Sequence, residues 1–183
     1  FYHNLDGSRT ALPAPSVDTG MGLERAAVVL QGTDTIYETD LFTPAIRRVQ
    51  DLSGKSYESD RETTYAMRVV AEHARSSTFL IGDGVVPGNE GRGYVLRKII
   101  RRALRHARLA GREEPFFYEL TRFVAELMKP GYPELMESVD RVARVVKEEE
   151  MRYQRSFSLA ESMFESSASK ISDGVLPGAV AFK

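Results

Sequence analysis

From Leu41 to Phe164 apolar residues recur at intervals of three and four, the spacing of helices that bury one face. Thr39 or Asp40 is placed to cap a first helix, with Leu41, Ile46, Val49 and Leu52 facing inward and Gly54 as its stop. Ser59 or Asp60 is placed to cap a second, which carries Met67, Val70, Ala71 and Ala74 to about Leu80. The stretch from Gly82 to Gly91 has the glycine, proline and asparagine content of a loop. A third helix follows it and stops at Gly111, and a fourth runs from Phe116 to Met128 before Pro130-Gly131. Pro133 suits the first turn of a long helix whose apolar seam is Leu135, Val139, Val142, Val146, Tyr153, Phe157, Ala160 and Phe164. That seam reads as a surface for packing helices, not as a ligand site.

The first 32 residues are patterned differently. Phe1 to Leu5 predicts a strand and Asp6-Gly7-Ser8 a turn, after which Pro13 and Pro15 keep the backbone extended. Ser16 to Gly22 predicts a second short strand, and Leu23 to Leu30 a helix stopped near Gly32. At the other end a turn from Asp173 to Gly178 leads into a new element at Ala179 to Lys183. The expected fold is therefore mainly α, a helical region at 33–183 preceded by a short β-hairpin or strand–helix piece at 1–32.

Length and composition add bounds. The chain has 183 residues, 42% hydrophobic and 28% charged, ordinary values for one substantial globular domain or two small ones. No apolar run approaches the ~20 residues of a membrane span, and no secretory leader is visible. With no cysteine there are no disulfides and no thiolate metal sites, and His3, His73 and His106 are scattered in sequence. The chain starts on Phe1 and ends on Lys183 after an apolar run, which leads us to expect a piece of something larger.

Charge is distributed unevenly. Gly91 to Arg112 contains Arg92, Arg97, Lys98, Arg101, Arg102, Arg105, Arg108 and Arg112 and no acid, within a chain whose net charge is −1. At about 100° per residue, Arg97, Lys98, Arg101, Arg102, Arg105 and Arg108 share an arc of roughly 140°, opposite Val95, Leu96, Ile99, Ile100, Ala103, Leu104 and Ala107. Such a ridge is suited to tracking nucleic-acid phosphates. The structural alternative is a helix whose cations pair with acids elsewhere, for which Glu137, Glu148, Glu149 and Glu150 are the candidates.

Two motifs carry chemistry. In Val17-Asp18-Thr19-Gly20-Met21-Gly22-Leu23-Glu24-Arg25 the alternate glycines leave one strand face bare for a flat ligand. Arg25 adds a cation for a ring or a phosphate, and Asp18 a carboxylate for an ammonium group. This string resembles the third signature motif of class II aminoacyl-tRNA synthetases, in the wording of the alanyl-tRNA synthetases, after an approach through Pro13 and Pro15. Arg68 to Arg75, Phe79 to Val85, Pro87 to Glu90 and Arg92 to Arg97 resemble the tRNA-recognition region of the same family. The chain departs from the family's usual Asp at Glu72 and its usual Ser at Gly88.

The resemblance implies an enzyme that activates L-alanine with ATP and Mg2+ and passes it to the end of tRNA(Ala), in the cytoplasm and without a membrane. It implies that Asp18 binds the alanine ammonium, that Gly20 and Gly22 lie under the adenylate, and that Arg25 contacts ATP. It makes Asn89 the reader of a G·U pair in the acceptor stem, and Arg92, Arg97, Lys98, Arg101, Arg102 and Arg105 its phosphate partners. The two other class II motifs, the zinc-bearing editing domain and a second reader of the stem lie outside these residues, so the chain alone is expected to be inactive. A helical RNA-binding module without catalysis is the competing expectation.

Overall fold

The computed structural model describes residues 1–14, 20–168, 175, 176 and 178. The expected strand from Ser16 therefore falls largely outside the described residues, as do Asp173, Gly174 and Pro177 of the expected turn and the element at Ala179 to Lys183. The chain forms two compact units, Phe1–Thr39 and Asp40–Lys183.

In the first unit, β1 (Tyr2–His3) pairs antiparallel with β2 (Arg9–Thr10), Tyr2 opposite Thr10 and His3 opposite Arg9. The turn between them is held by Asp6, whose carboxylate accepts from the Ser8 backbone N–H at 2.9 Å and the Ser8 hydroxyl at 2.6 Å. The sequence pattern gave the turn but not β2. Helix α1 (Leu23–Gln31) closes on Gly32, and a single 3-10 turn covers Ile36–Glu38.

In the second unit, α2 (Thr43–Ser53), α3 (Arg61–Gly82), α4 (Gly91–Leu109), α5 (Phe117–Met128) and α6 (Leu135–Ala168) make a bundle in which α3 packs against the other four. Its core is aliphatic and aromatic, with Met67, Val70 and Ile81 of α3 meeting Leu96, Ile100 and Leu104 of α4, Phe117 and Leu120 of α5, and Val142 and Val146 of α6. Side chains of this kind, fully buried, contribute about 1.5–3 kcal/mol each. Among the described residues no helix is long and apolar enough to cross a membrane.

Two sequence expectations need correction. The N-cap position of α2 falls to Phe42, not to Thr39 or Asp40; the Thr39 hydroxyl donates to the Ile36 carbonyl at 2.6 Å, and the helix starts at Thr43 with Pro44 in its first turn. The 3-10 turn uses up Thr39, and a proline needs no N–H partner at that position. The seam of α6 is core only in its first half: Leu135, Val142 and Val146 are buried, Tyr153 and Phe157 are half-buried, and Ala160 and Phe164 are exposed. At 34 residues α6 outruns the 12 to 22 residues of α3, α4 and α5, so its last turns have no helix of the bundle beside them.

Candidate nucleic-acid interface

The loop from Asp83 to Glu90 is fixed at both ends by helix chemistry. At its entry Arg141 of α6 donates to the Ile81 carbonyl at 2.7 Å and the Gly82 carbonyl at 3.0 Å at the C-terminus of α3, where Ile81 also accepts the Gly84 N–H at 3.0 Å. At its exit the Gly88 N–H donates to the Gly93 carbonyl at 3.0 Å. Gly93 lies so close under the loop that a Cβ there would stand 2.5 Å from the Val86 carbonyl oxygen. The result is a short, doubly tethered loop that presents Asn89, exposed, at the start of α4.

The eight cations of Gly91 to Arg112, seven on α4 and Arg112 just beyond it, fall in two groups. Arg92, Lys98, Arg102 and Arg105 are exposed. Lys98 stands over the Tyr94 ring at 5.4 Å, and Arg102 donates to the Tyr65 hydroxyl at 3.0 Å, so two exposed tyrosines stand within the same basic surface. Cations over aromatic rings and rings open to solvent are the surface that stacked or splayed nucleotides use.

The other four are engaged with the protein. The side chain of Glu149, from α6, is 2% exposed, and its Oε1 lies 2.8 Å from Nε of Arg101 and 3.2 Å from Nε of Arg97. The contact to Arg101 has hydrogen-bond geometry; that to Arg97 is an ion pair without it. Arg97 also donates through Nη1 to the Asn89 carboxamide oxygen. Arg108 covers the Phe157 ring at 4.2 Å and Arg112 the Phe116 ring at 6.0 Å. The structural alternative posed by the sequence thus describes Arg97 and Arg101, through Glu149 alone of the acids it named.

Two groups of this region were not singled out as functional in the sequence. Tyr65 and Tyr94 carried no signal beyond breaking the polar face of their helices. Glu149 did carry one: the α6 seam skips from Val146 to Tyr153, and a residue at the missing interval of three is Glu149. His73 and His106, far apart in sequence, lie close enough to influence one another across the α3–α4 contact. Burial holds both below the ordinary imidazole range, His73 despite Glu72, and the cations Arg102 and Arg105 add to the effect at His106.

The nucleotide motif of the first unit is only partly in view. Asp18 lies outside the described residues. Gly20 and Gly22 are exposed, and among the described residues, its chain neighbours aside, none has an atom within 4 Å of where a Gly20 Cβ would stand. The aliphatic stem of Arg25 runs along Gly22, 3.7 Å from the position of its absent Cβ, with the exposed guanidinium at the first turn of α1. Among the described residues no group of three or more His, Asp or Glu is placed to hold a metal ion.

Comparison with known proteins finds matches over the whole chain. The profile of the family described as tRNA synthetases class II (A) matches residues 1–183. The chain is 55% identical over 183 residues to the alanine–tRNA ligase of Solibacter usitatus (strain Ellin6076), covering 100% of this chain and 21% of that protein. It is 49% identical over 183 residues to that of Stenotrophomonas maltophilia (strain K279a), again 100% of this chain and 20% of the relative. With the enzyme of Geobacillus thermodenitrificans (strain NG80-2) it shares 46% over 188 residues, 100% of this chain and 21% of the other. The chain spans about a fifth of the length of the curated relatives it matches.

Proposed function

This chain belongs to the class II (A) family of tRNA synthetases, and from that premise we propose that it supplies acceptor-stem recognition, and part of the ATP and alanine site, to an alanine–tRNA ligase. In this reading the N-terminal unit, taken from the sequence as 1–32, ends the catalytic domain. Residues 33–183 belong to the helical tRNA-recognition domain.

Asn89 carries the reading. It is exposed on a tethered loop, at the head of a helix of roughly 28 Å whose open face holds Arg92, Lys98, Arg102 and Arg105. Phosphate contacts fix the register of an RNA stem but say nothing of its sequence; a reader of base edges must supply that. The shallow minor groove of A-form RNA exposes base edges to a short side chain, and a carboxamide suits them. Asp18, Gly20, Gly22 and Arg25 would hold alanine and ATP when the rest of a class II site is assembled around them. Their contribution is to position and to stabilise charge.

Binding to a minimal acceptor-stem hairpin tests the reading. Affinity should fall steeply with log[salt], by a slope of about 0.9 for each phosphate neutralised on a duplex. A G·U stem should bind more tightly than its G·C counterpart. Binding that ignores salt and does not distinguish the two stems would refute the proposal. The chain alone should support no alanine-dependent ATP–pyrophosphate exchange; clear exchange would show a complete site within these residues.

A second reading, in which the basic face is structural, has the Glu149 contacts to Arg97 and Arg101 in its favour. It leaves Arg92, Lys98, Arg102 and Arg105 unexplained.

A further inference from the structure

Glu149 occupies an apolar interval of the α6 seam, one turn after buried Val142 and Val146. A carboxylate taken out of water needs partners that return what hydration supplied. Glu149 has them on one oxygen only: Oε1 meets Arg101 at 2.8 Å and Arg97 at 3.2 Å. Oε2 is buried without a hydrogen bond, with Arg152 Nη1 4.0 Å away. Stitching α4 to α6 would need no more than the Arg101 contact. Arg97 does something further, because its guanidinium reaches past Glu149 to the side chain of Asn89.

The chemistry of that contact fixes an orientation. A guanidinium has donors and no acceptor, so it can meet only the oxygen end of a carboxamide. Asn89 must therefore turn its oxygen toward Arg97 and its NH2 away. Among the described residues the Arg97 contact is the sole hydrogen bond of this side chain. What an incoming stem meets is thus a pair of donors held in one orientation.

We propose that Glu149 is a positioning residue for RNA reading: through Arg97 it locks the Asn89 carboxamide with its donors outward, so that the site selects an acceptor in the minor groove. Pyrimidine O2, purine N3 and the ribose 2′-hydroxyl are such acceptors. Without Glu149 the Arg97 guanidinium is free to turn to solvent, and Asn89 rotates between donor and acceptor faces. The inference rests on Asn89 being the reader, and its test separates the two.

The measurement is hairpin binding by the 183-residue chain, with G·U and G·C stems, for wild type, Asn89→Ala, Glu149→Gln and the double variant. A well-placed amide contact is worth roughly tenfold in discrimination. Glu149→Gln should lose that factor as fully as Asn89→Ala does, and the double variant should lose no more, the signature of a shared pathway. Affinity for the G·C stem and the salt slope should stay near wild type. The side-chain amide resonances of Asn89, identified by their loss in Asn89→Ala, should move in Glu149→Gln to the positions of a freely rotating amide. Should Glu149→Gln not fold, Arg97→Met leaves Glu149 paired with Arg101, cuts only the link to Asn89, and is expected to lose the same discrimination. If Asn89→Ala abolishes discrimination while Glu149→Gln and Arg97→Met keep it, with the amide resonances unmoved, this inference is wrong and the reader stands. If Asn89→Ala keeps discrimination, the reading of Asn89 fails and takes the inference with it.

Discussion

Glu150 of α6 caps the helix that begins at Phe117: its Oε1 accepts the Phe117 backbone N–H at 3.0 Å and that of Phe116 at 2.9 Å. Phe116 stands at the N-cap of α5 and has no side-chain oxygen to do this locally, so the acceptor comes from a neighbouring helix. Burial raises the Glu150 pKa above the ordinary carboxylate value of 4.5, and the backbone donors pull the other way without winning. A folded carboxyl with a raised pKa holds its proton longer than the unfolded one. Its contribution to stability is therefore full below 4.5 and declines as pH rises through the window above that value.

Two substitutions at this position should behave oppositely. Glu150→Ala orphans two buried donors and should cost about 1–3 kcal/mol. Glu150→Gln keeps an acceptor and sheds the buried charge, so at neutral pH it should lie within about 1 kcal/mol of wild type. Denaturant melts across pH 4 to 8 check both: the Gln variant should lose the decline above pH 4.5 that wild type shows. A Gln variant as unstable as the Ala variant would mean that the charge, not the acceptor, holds α5.

His73 and His106 give a second, opposite dependence. Both are held below the ordinary value of 6.5, chiefly by burial and then by charged neighbours, Arg102 lowering both and Arg105 lowering His106. In the pH range between the lowered folded values and 6.5 the unfolded chain binds more protons than the folded one. Stability is thus complete above 6.5 and is lost as pH falls through that range. His106 has a buried Nδ1 without a partner and meets Tyr65 edge to face, so His106→Phe should keep the ring contact and shallow the slope. Melting at pH 5, 6, 7 and 8 measures it; an unchanged slope would shift the effect to His73.

Gly93 tests how the recognition loop is built. An exposed helical Gly→Ala change ordinarily stabilises by about 1 kcal/mol. Here the added Cβ would meet the Val86 carbonyl oxygen at 2.5 Å and the Gly88 nitrogen at 3.0 Å, both backbone atoms. Forcing backbone apart costs about 1–3 kcal/mol, so the clash outweighs the propensity gain. Gly93→Ala should lower the melting temperature and break the Gly88 to Gly93 hydrogen bond, read as faster amide exchange at Gly88. A stabilised variant would show the loop to be free to lift.

Most of the helices were legible because their signals are local. Asp60 caps α3 by accepting the Thr63 N–H at 2.8 Å, as its place before the periodic run suggested, and Gly54, at φ +70°, stops α2 where the pattern ends. The basic arc of α4 was equally plain. What no local pattern could give is partnership at a distance. Arg97 and Arg105 look alike on a helical wheel, yet one is drawn inward by an acid 52 residues later in the chain and the other is exposed. The cap of α5 comes from Glu150, 33 residues on. Even so, two glutamates inside an apolar seam mark a place where that seam has polar work to do.

The division of α4 sharpens the choice of variant for testing the RNA surface. Arg101 is poorly suited, because Arg101→Ala removes the hydrogen-bonded partner of buried Glu149 along with any phosphate contact. Its effect would mix stability with binding. Arg105 is exposed, two turns past Arg97 on the same face, and no hydrogen bond or ion pair ties it among the described residues. Arg105→Ala should leave the melting temperature unchanged, weaken G·U and G·C hairpins alike, and make the salt slope shallower by about 1. Asn89→Ala should do the reverse: the slope stays, and the preference for the G·U stem falls roughly tenfold. Fluorescence anisotropy with the two hairpins from 50 to 300 mM salt reads both quantities at once. Equal losses on the two stems for Asn89→Ala would remove it from sequence reading, and an unchanged salt slope for Arg105→Ala would move the phosphate path off this face of α4.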